Sequence, residues 1–141
     1  MFSLRVLHYI LQGKTPVALD PGDPSALIRW AKWFETADRH VADETICGKR
    51  VSTVFLGIDH GFDPDGPPIL FETMVFSEVP EDEKNKTIEM PDGTIHTYRQ
   101  EMDELDHYTR RYSSWEEAAY GHRETVEMVR RAMIKIVNGN A

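Results

Sequence analysis

Two kinds of apolar pattern alternate along the chain, one continuous and one periodic. The continuous kind occurs twice, as VSTVFLGI at 51–58 and ILFETMVF at 69–76. Both are rich in β-branched and aromatic residues and apolar on both faces, which predicts two central strands. The ten residues between them, DHGFDPDGPP, hold two Gly, three Pro and three Asp, so a hairpin closed by a long ordered loop is expected. The periodic kind also occurs twice. After the break DPGDP at 20–24, Leu27, Trp30, Ala31, Phe34, Ala37 and Val41 recur at spacings of three and four. This predicts an amphipathic helix with Asp23 as N-cap and Pro24 at its first position, ending near residue 42. In SSWEEAAYGHRETVEMVRRAMIKIV, Trp115, Ala118, Ala119, Val126, Val129, Met133 and Ile136 form a second stripe. Ser113 or Ser114, with a Glu three residues on, supplies a capping signal, and Gly139 supplies a stop.

Weaker signals fill the rest. LRVLHYIL at 4–11 and TPVAL at 15–19 predict a strand, a turn and a short extended piece. DETICGKR reads as a connection, SEVPEDEKNK at 77–86 as polar and mobile, and QEMDELD as ambiguous. TIEMPDGTIHTY at 87–98 is a small hairpin around PDG. HYTRRYS at 107–113 suits an edge strand, its arginines blunting the edge. The order β, α, β, β, a β-rich insertion over 77–106, and α predicts an α+β fold in one domain spanning 1–141. Its sheet is mainly antiparallel, and both helices bury their stripes on one face.

Composition narrows the function. With 16 basic and 24 acidic residues the net charge is −8, a field that repels nucleic acid and suits a basic partner. No run reaches the roughly 20 apolar residues of a membrane span, and the N-terminus lacks a cleavage site. The single Cys47 has no partner for an internal disulfide and fits a reducing cytoplasm.

Candidate chemistry is sparse. Asp59, His60, Asp63 and Asp65 crowd the central loop, and DPDG resembles a calcium-loop fragment that lacks its closing Glu. It is equally an ordinary turn sequence. Glu72 shares a strand face with Leu70, Met74 and Phe76, so it is either exposed on a patchily covered sheet or buried with a partner. Asp38 borders the first stripe and His122 lies inside the second, which suggests a His–Asp pair across packed helices, structural or orienting. Trp33 lies off the Trp30 face and is available as a pocket wall. The six histidines show no zinc spacing, and no phosphate-loop, dinucleotide or nucleophile-elbow pattern occurs, so no catalytic residue, metal or cofactor is expected.

Three blocks, WAKWFETADRHVA, RVSTVFLGIDHGF…GPPILFETMVF and RYSSWEEAAYGH, make the chain resemble a group of small uncharacterised proteins encoded by tailed phages and prophages. The likeness covers about residues 14–76 and 107–130; the first ten residues and 77–106 depart from it. It implies a phage-derived protein working in a bacterial cytoplasm, and it assigns no catalytic residue.

Together these readings lead to the expectation of a non-enzymatic binding protein that counters a host defence by sequestering a nucleotide-like ligand. Trp33, Arg39, His60 and Glu72 are the expected contacts. One rival is an inhibitor of a host or defence protein that uses the acids of 77–106. A second is a small metal-dependent hydrolase built on Asp38, His60, Glu72 and His122, and a third is a structural phage protein. Neither direct nucleic-acid nor membrane binding is expected, while homo-oligomerisation is compatible with the pattern.

Overall fold

The computed structural model describes residues 7–77, 85–99 and 105–138. The fold is α+β. A short hairpin, β1 (Tyr9–Gln12) and β2 (Thr15–Ala18), leads into helix α1 (Ala26–Thr36). Strands β3 (His40–Ile46), β4 (Lys49–Phe55), β5 (Phe71–Ser77) and β8 (Thr109–Tyr112) form one antiparallel sheet in the order β3-β4-β5-β8. A separate ribbon, β6 (Asn85–Glu89) with β7 (Ile95–Arg99), turns at PDG. Helix α2 (Trp115–Asn138) closes the chain and crosses all four strands of the main sheet.

The two continuous apolar runs are central strands paired in register from Lys49↔Ser77 to Phe55↔Phe71. Odd positions of β4 and β5 face α2. There Phe55, Leu70, Phe71, Tyr112 and Ala118 form one apolar cluster, and Val51, Val75, Val126 and Val129 form another. Burying each of these large side chains contributes roughly 1.5–3 kcal/mol. Even positions face outward and carry two ion pairs, Asp43–Arg50 at 2.6 Å and Glu72–Arg111 at 2.8 Å. Helix α2 starts with the expected box: the Ser114 hydroxyl accepts from the Glu117 amide at 3.1 Å and donates to the Glu117 carboxylate at 3.0 Å.

The first helix differs most from expectation. It stops at Thr36, and Ala37 is already extended. The Asp38 carboxylate accepts from the His40 amide at 3.1 Å, a local turn that diverts the backbone from the helix. The following residues pair with β4 as the edge strand β3. Cys47 and Gly48, both at positive φ, close a two-residue hairpin between β3 and β4. At the other end the N-cap is Ser25, and Asp23 instead accepts from the Ser25 amide and hydroxyl. The buried side of α1 is Ala26, Trp30, Trp33, Phe34 and Ala37, while Leu27 and Ala31 are exposed. Trp33 meets Phe55 edge-on at 5.8 Å and so joins the main core.

The expected strand residues 4–6, the polar segment 78–84, most of QEMDELD and Gly139 lie outside the described residues, as do the side chains of Met133 and Ile136.

Asp23, Asp38, Asp43 and Asp92 all have pKa values below the ordinary carboxylate value, because neighbouring hydrogen-bond donors favour the charged form. For Asp23 the Ser25 donors lead, for Asp38 the His40 amide, for Asp43 Arg50, and for Asp92 Thr94. The folded chain therefore binds fewer protons than the unfolded chain in the carboxylate range. The resulting stabilisation is present above about pH 4 and is lost as pH falls through the depressed folded values. Urea midpoints measured downward from neutral pH should decline below about pH 4; a flat profile there would contradict the assignment.

Candidate functional site

Between the two apolar clusters lies a layer of polar side chains. Thr53 and Thr73 are directly opposed on β4 and β5, and their hydroxyls are 2.6 Å apart. His122 points down from α2 with its Nδ1 2.8 Å from the Thr53 hydroxyl. On the other side its Nε2 is 3.0 Å from the carboxylate of Glu44 on β3. The Tyr112 phenol on β8 continues the chain at 2.9 Å from Thr73. Burial raises the phenol's pKa, so it serves as a neutral hydroxyl. Tyr112 fits under α2 because residue 121 of the helix is glycine.

The order carboxylate, imidazole, hydroxyl is that of a nucleophile relay. Here the hydroxyl is fully buried and bonded on both sides, so no reacting atom can approach it. The expected pairing of Asp38 with His122 does not form. Asp38 sits past the end of α1, exposed, with its carboxylate 3.2 Å from the His40 ring. The carboxylate partner of His122 is Glu44, in the stretch DETICGKR that the sequence reads as a connection and that pairs as part of β3.

The four expected contact residues do not converge. Trp33 belongs to the core side of the sheet. Glu72 points the other way, 14% exposed and held by Arg111, so the partnered reading of this carboxylate applies. Arg39 lies 3.8 Å over the Phe34 ring and donates to the Phe55 carbonyl at 3.0 Å. It ends an aromatic column: His8 meets Trp30 edge-on at 4.8 Å, and Trp30 stacks on Phe34 at 4.7 Å. Gly57, at φ +79°, lets the chain pass close under this column. His60 is exposed, and its amide is 2.9 Å from the Ile69 carbonyl.

The central loop is an ordered turn whose acids serve its own backbone. The Asp59 carboxylate accepts from the amides of Gly61 at 2.7 Å and Ile69 at 2.9 Å, stapling the mouth. Asp63 accepts from the Asp65 amide at 3.0 Å, and its carbonyl accepts from the Gly66 amide at 3.1 Å. Among the described residues no group of three or more His, Cys, Asp or Glu is placed to hold a metal ion. What the loop presents is Phe62, 99% exposed at its tip. A shallow open groove of about 440 Å³ runs beside Arg123, Glu124, Glu127, Met128 and Arg131 of α2 and includes none of the expected contact residues.

Glu44, Thr53, Thr73, Tyr112 and Phe62 were not singled out by the sequence patterns. One threonine inside each apolar run was the available signal for the polar layer. Among the described residues no helix is long and apolar enough to cross a membrane. No protein-family model, curated protein or solved structure matches the chain.

Proposed function

We propose that this is a phage-derived binding protein without a catalytic centre, working in the bacterial cytoplasm and acting on a host factor by docking a protein through the loop 59–68. The observation that carries the reading is Phe62. An aromatic ring held in water by a stapled loop is an anchor whose ordering cost is already met before binding. Burying such a ring removes roughly 150–250 Å² from water. The net charge of −8 favours encounter with a basic partner surface. The likeness to small phage proteins supports the setting, a countermeasure against host defence.

The test is Phe62→Ser. The ring touches nothing it stabilises, so thermal stability should change by less than about 0.5 kcal/mol. Affinity for the host protein recovered with the wild-type chain should fall by roughly 30-fold or more, the range of an aromatic hot spot. Unchanged affinity would sink the loop reading.

Sequestration of a nucleotide-like ligand is the second reading, and the column His8–Trp30–Phe34–Arg39 favours it. Half-buried aromatic rings ending in a guanidinium suit a flat anionic molecule. Calorimetric titration with a panel of mono-, di- and cyclic nucleotides decides it; no heat from any of them rules this reading out.

A further inference from the structure

We infer that His122 is a buried proton-binding site whose occupancy sets the direction of a hydrogen-bonded chain running from β3 to β8. The ionised Glu44 carboxylate can only accept, so the His122 Nε2 that faces it at 3.0 Å carries a hydrogen in either charge state. Beyond the ring stand three links, Nδ1 to Thr53 at 2.8 Å, Thr53 to Thr73 at 2.6 Å, and Thr73 to Tyr112 at 2.9 Å. Three hydroxyls supply one hydrogen each. With Nδ1 bare, Thr53 donates to the ring, Thr73 to Thr53, and Tyr112 to Thr73, and every link is filled. With Nδ1 protonated, the ring donates to Thr53, Thr53 to Thr73, and Thr73 to Tyr112, which releases the phenol hydrogen. The Thr125 hydroxyl stands beside the phenol and gives its own hydrogen to the Gly121 carbonyl at 2.7 Å, so it has a lone pair to accept the one released.

Both directions therefore leave no buried side-chain polar atom of the chain unpaired, in keeping with the described side chains as a whole. Uptake is a single step in composition: one proton from solvent forms one N–H bond at Nδ1. The O–H bonds rotate and none breaks. Charged and polar groups face the ring from the elements packed against it. From β3 come Glu44, half exposed at the mouth of the layer, and Asp43, itself tied to Arg50. From β4 and β5 come the hydroxyls of Thr53 and Thr73, and from β8 the neutral Tyr112. Arg110 of β8 is engaged with Glu124 of α2 at 3.1 Å, which offsets its charge. Protonation converts the Glu44–His122 contact from a hydrogen bond to an ion pair and so fastens the edge strand β3 more firmly to α2.

Nitrogen NMR of the His122 ring in the full chain, with carbon NMR of the Tyr112 ring, tests this between about pH 5 and 8. The expected result is Nε2 protonated throughout, Nδ1 passing from acceptor to donor, and a Tyr112 signal that moves with the same midpoint. Thr73→Val should abolish the Tyr112 response while His122 still titrates, and Thr73→Ser should restore it. A His122 ring fixed in one state across that range overturns the inference. So does a Tyr112 response that persists in Thr73→Val, because the coupling would then be through space and not through the hydroxyls.

Discussion

Replacing Asp106 by alanine should lower the unfolding free energy by about 3–5 kcal/mol, one of the largest single-residue effects in the molecule. The Lys49 ammonium and the Asp106 carboxylate are 2.7 Å apart, with their side chains only 8% and 4% exposed. Desolvating two charges is costly, and their attraction offsets that cost only while both are present. The alanine variant leaves the ammonium at the base of β4 without the carboxylate it was buried against. The same pair fastens the turn at 105–107 to the main sheet, next to the apolar contact of Leu105 and Tyr108 with the Val51–Val75 cluster. Local opening of that turn should therefore rise along with global instability. Chemical denaturation gives the first effect, and hydrogen exchange at the Tyr108 amide, bonded to the Leu105 carbonyl at 3.0 Å, gives the second. The double variant Lys49→Met, Asp106→Leu should recover most of the loss, because an apolar pair of similar volume bears no desolvation cost. A loss under about 1 kcal/mol in Asp106→Ala would show that the pair is solvated.

Gly121→Ala is the second large effect, and its sign runs against helix propensity. In an exposed helix interior the change would stabilise by about 1 kcal/mol. Here the added methyl would fall within the ring and hydroxyl of Tyr112. Tyr112 cannot retreat freely, because it is buried in the cluster with Phe55 and Phe71 and its hydroxyl is committed to Thr73. Either α2 lifts off the sheet or the phenol leaves the polar layer. Overpacking of this kind costs about 1–3 kcal/mol, and loss of the Thr73 bond adds about 1 kcal/mol. Set against the helix-propensity gain, the expected net destabilisation is about 1–3 kcal/mol, read as a fall in denaturation midpoint. Tyr112→Phe in the Gly121→Ala background should recover little, since the ring and not only the hydroxyl is in the way. A stabilised Gly121→Ala would mean that the helix stands farther from β8 than the structure places it.

The elements that were legible in the sequence are those in which local pattern and burial agree. The two apolar runs are central strands whose odd positions are buried under α2. The capping box of α2 is local chemistry, and its stripe survives intact through Val129. The stretch 37–46 was not legible because Ala37 and Val41 continue a spacing of three and four that the backbone abandons, and because DETI at 43–46 reads as a connection. What decides there is not periodicity but one carboxylate turning the chain at Asp38 and the gain of pairing with β4. Once that strand is missed, Glu44 cannot be recognised as the partner of His122. The candidate contact residues fared less well for a similar reason. Trp33 and Glu72 are each unusual in their local pattern, yet strand alternation and helix phase place them on opposite sides of the sheet. Spatial convergence is set by tertiary packing that no single segment encodes.

The polar layer also bears on how α2 finds its seat. A helix laid on a uniformly apolar sheet has several resting places, separated by sliding or rotation, that bury similar areas. The two valine-rich and aromatic clusters alone would tolerate such sliding. A single imidazole that must meet a hydroxyl below and a carboxylate to the side admits one placement, because a shift by one helical turn of about 5.4 Å would strand all of these groups at once. A chain with Thr53, Thr73, Tyr112 and His122 replaced by Val, Val, Phe and Leu would then be as stable as the native one, yet helix α2 would occupy a family of positions in place of one.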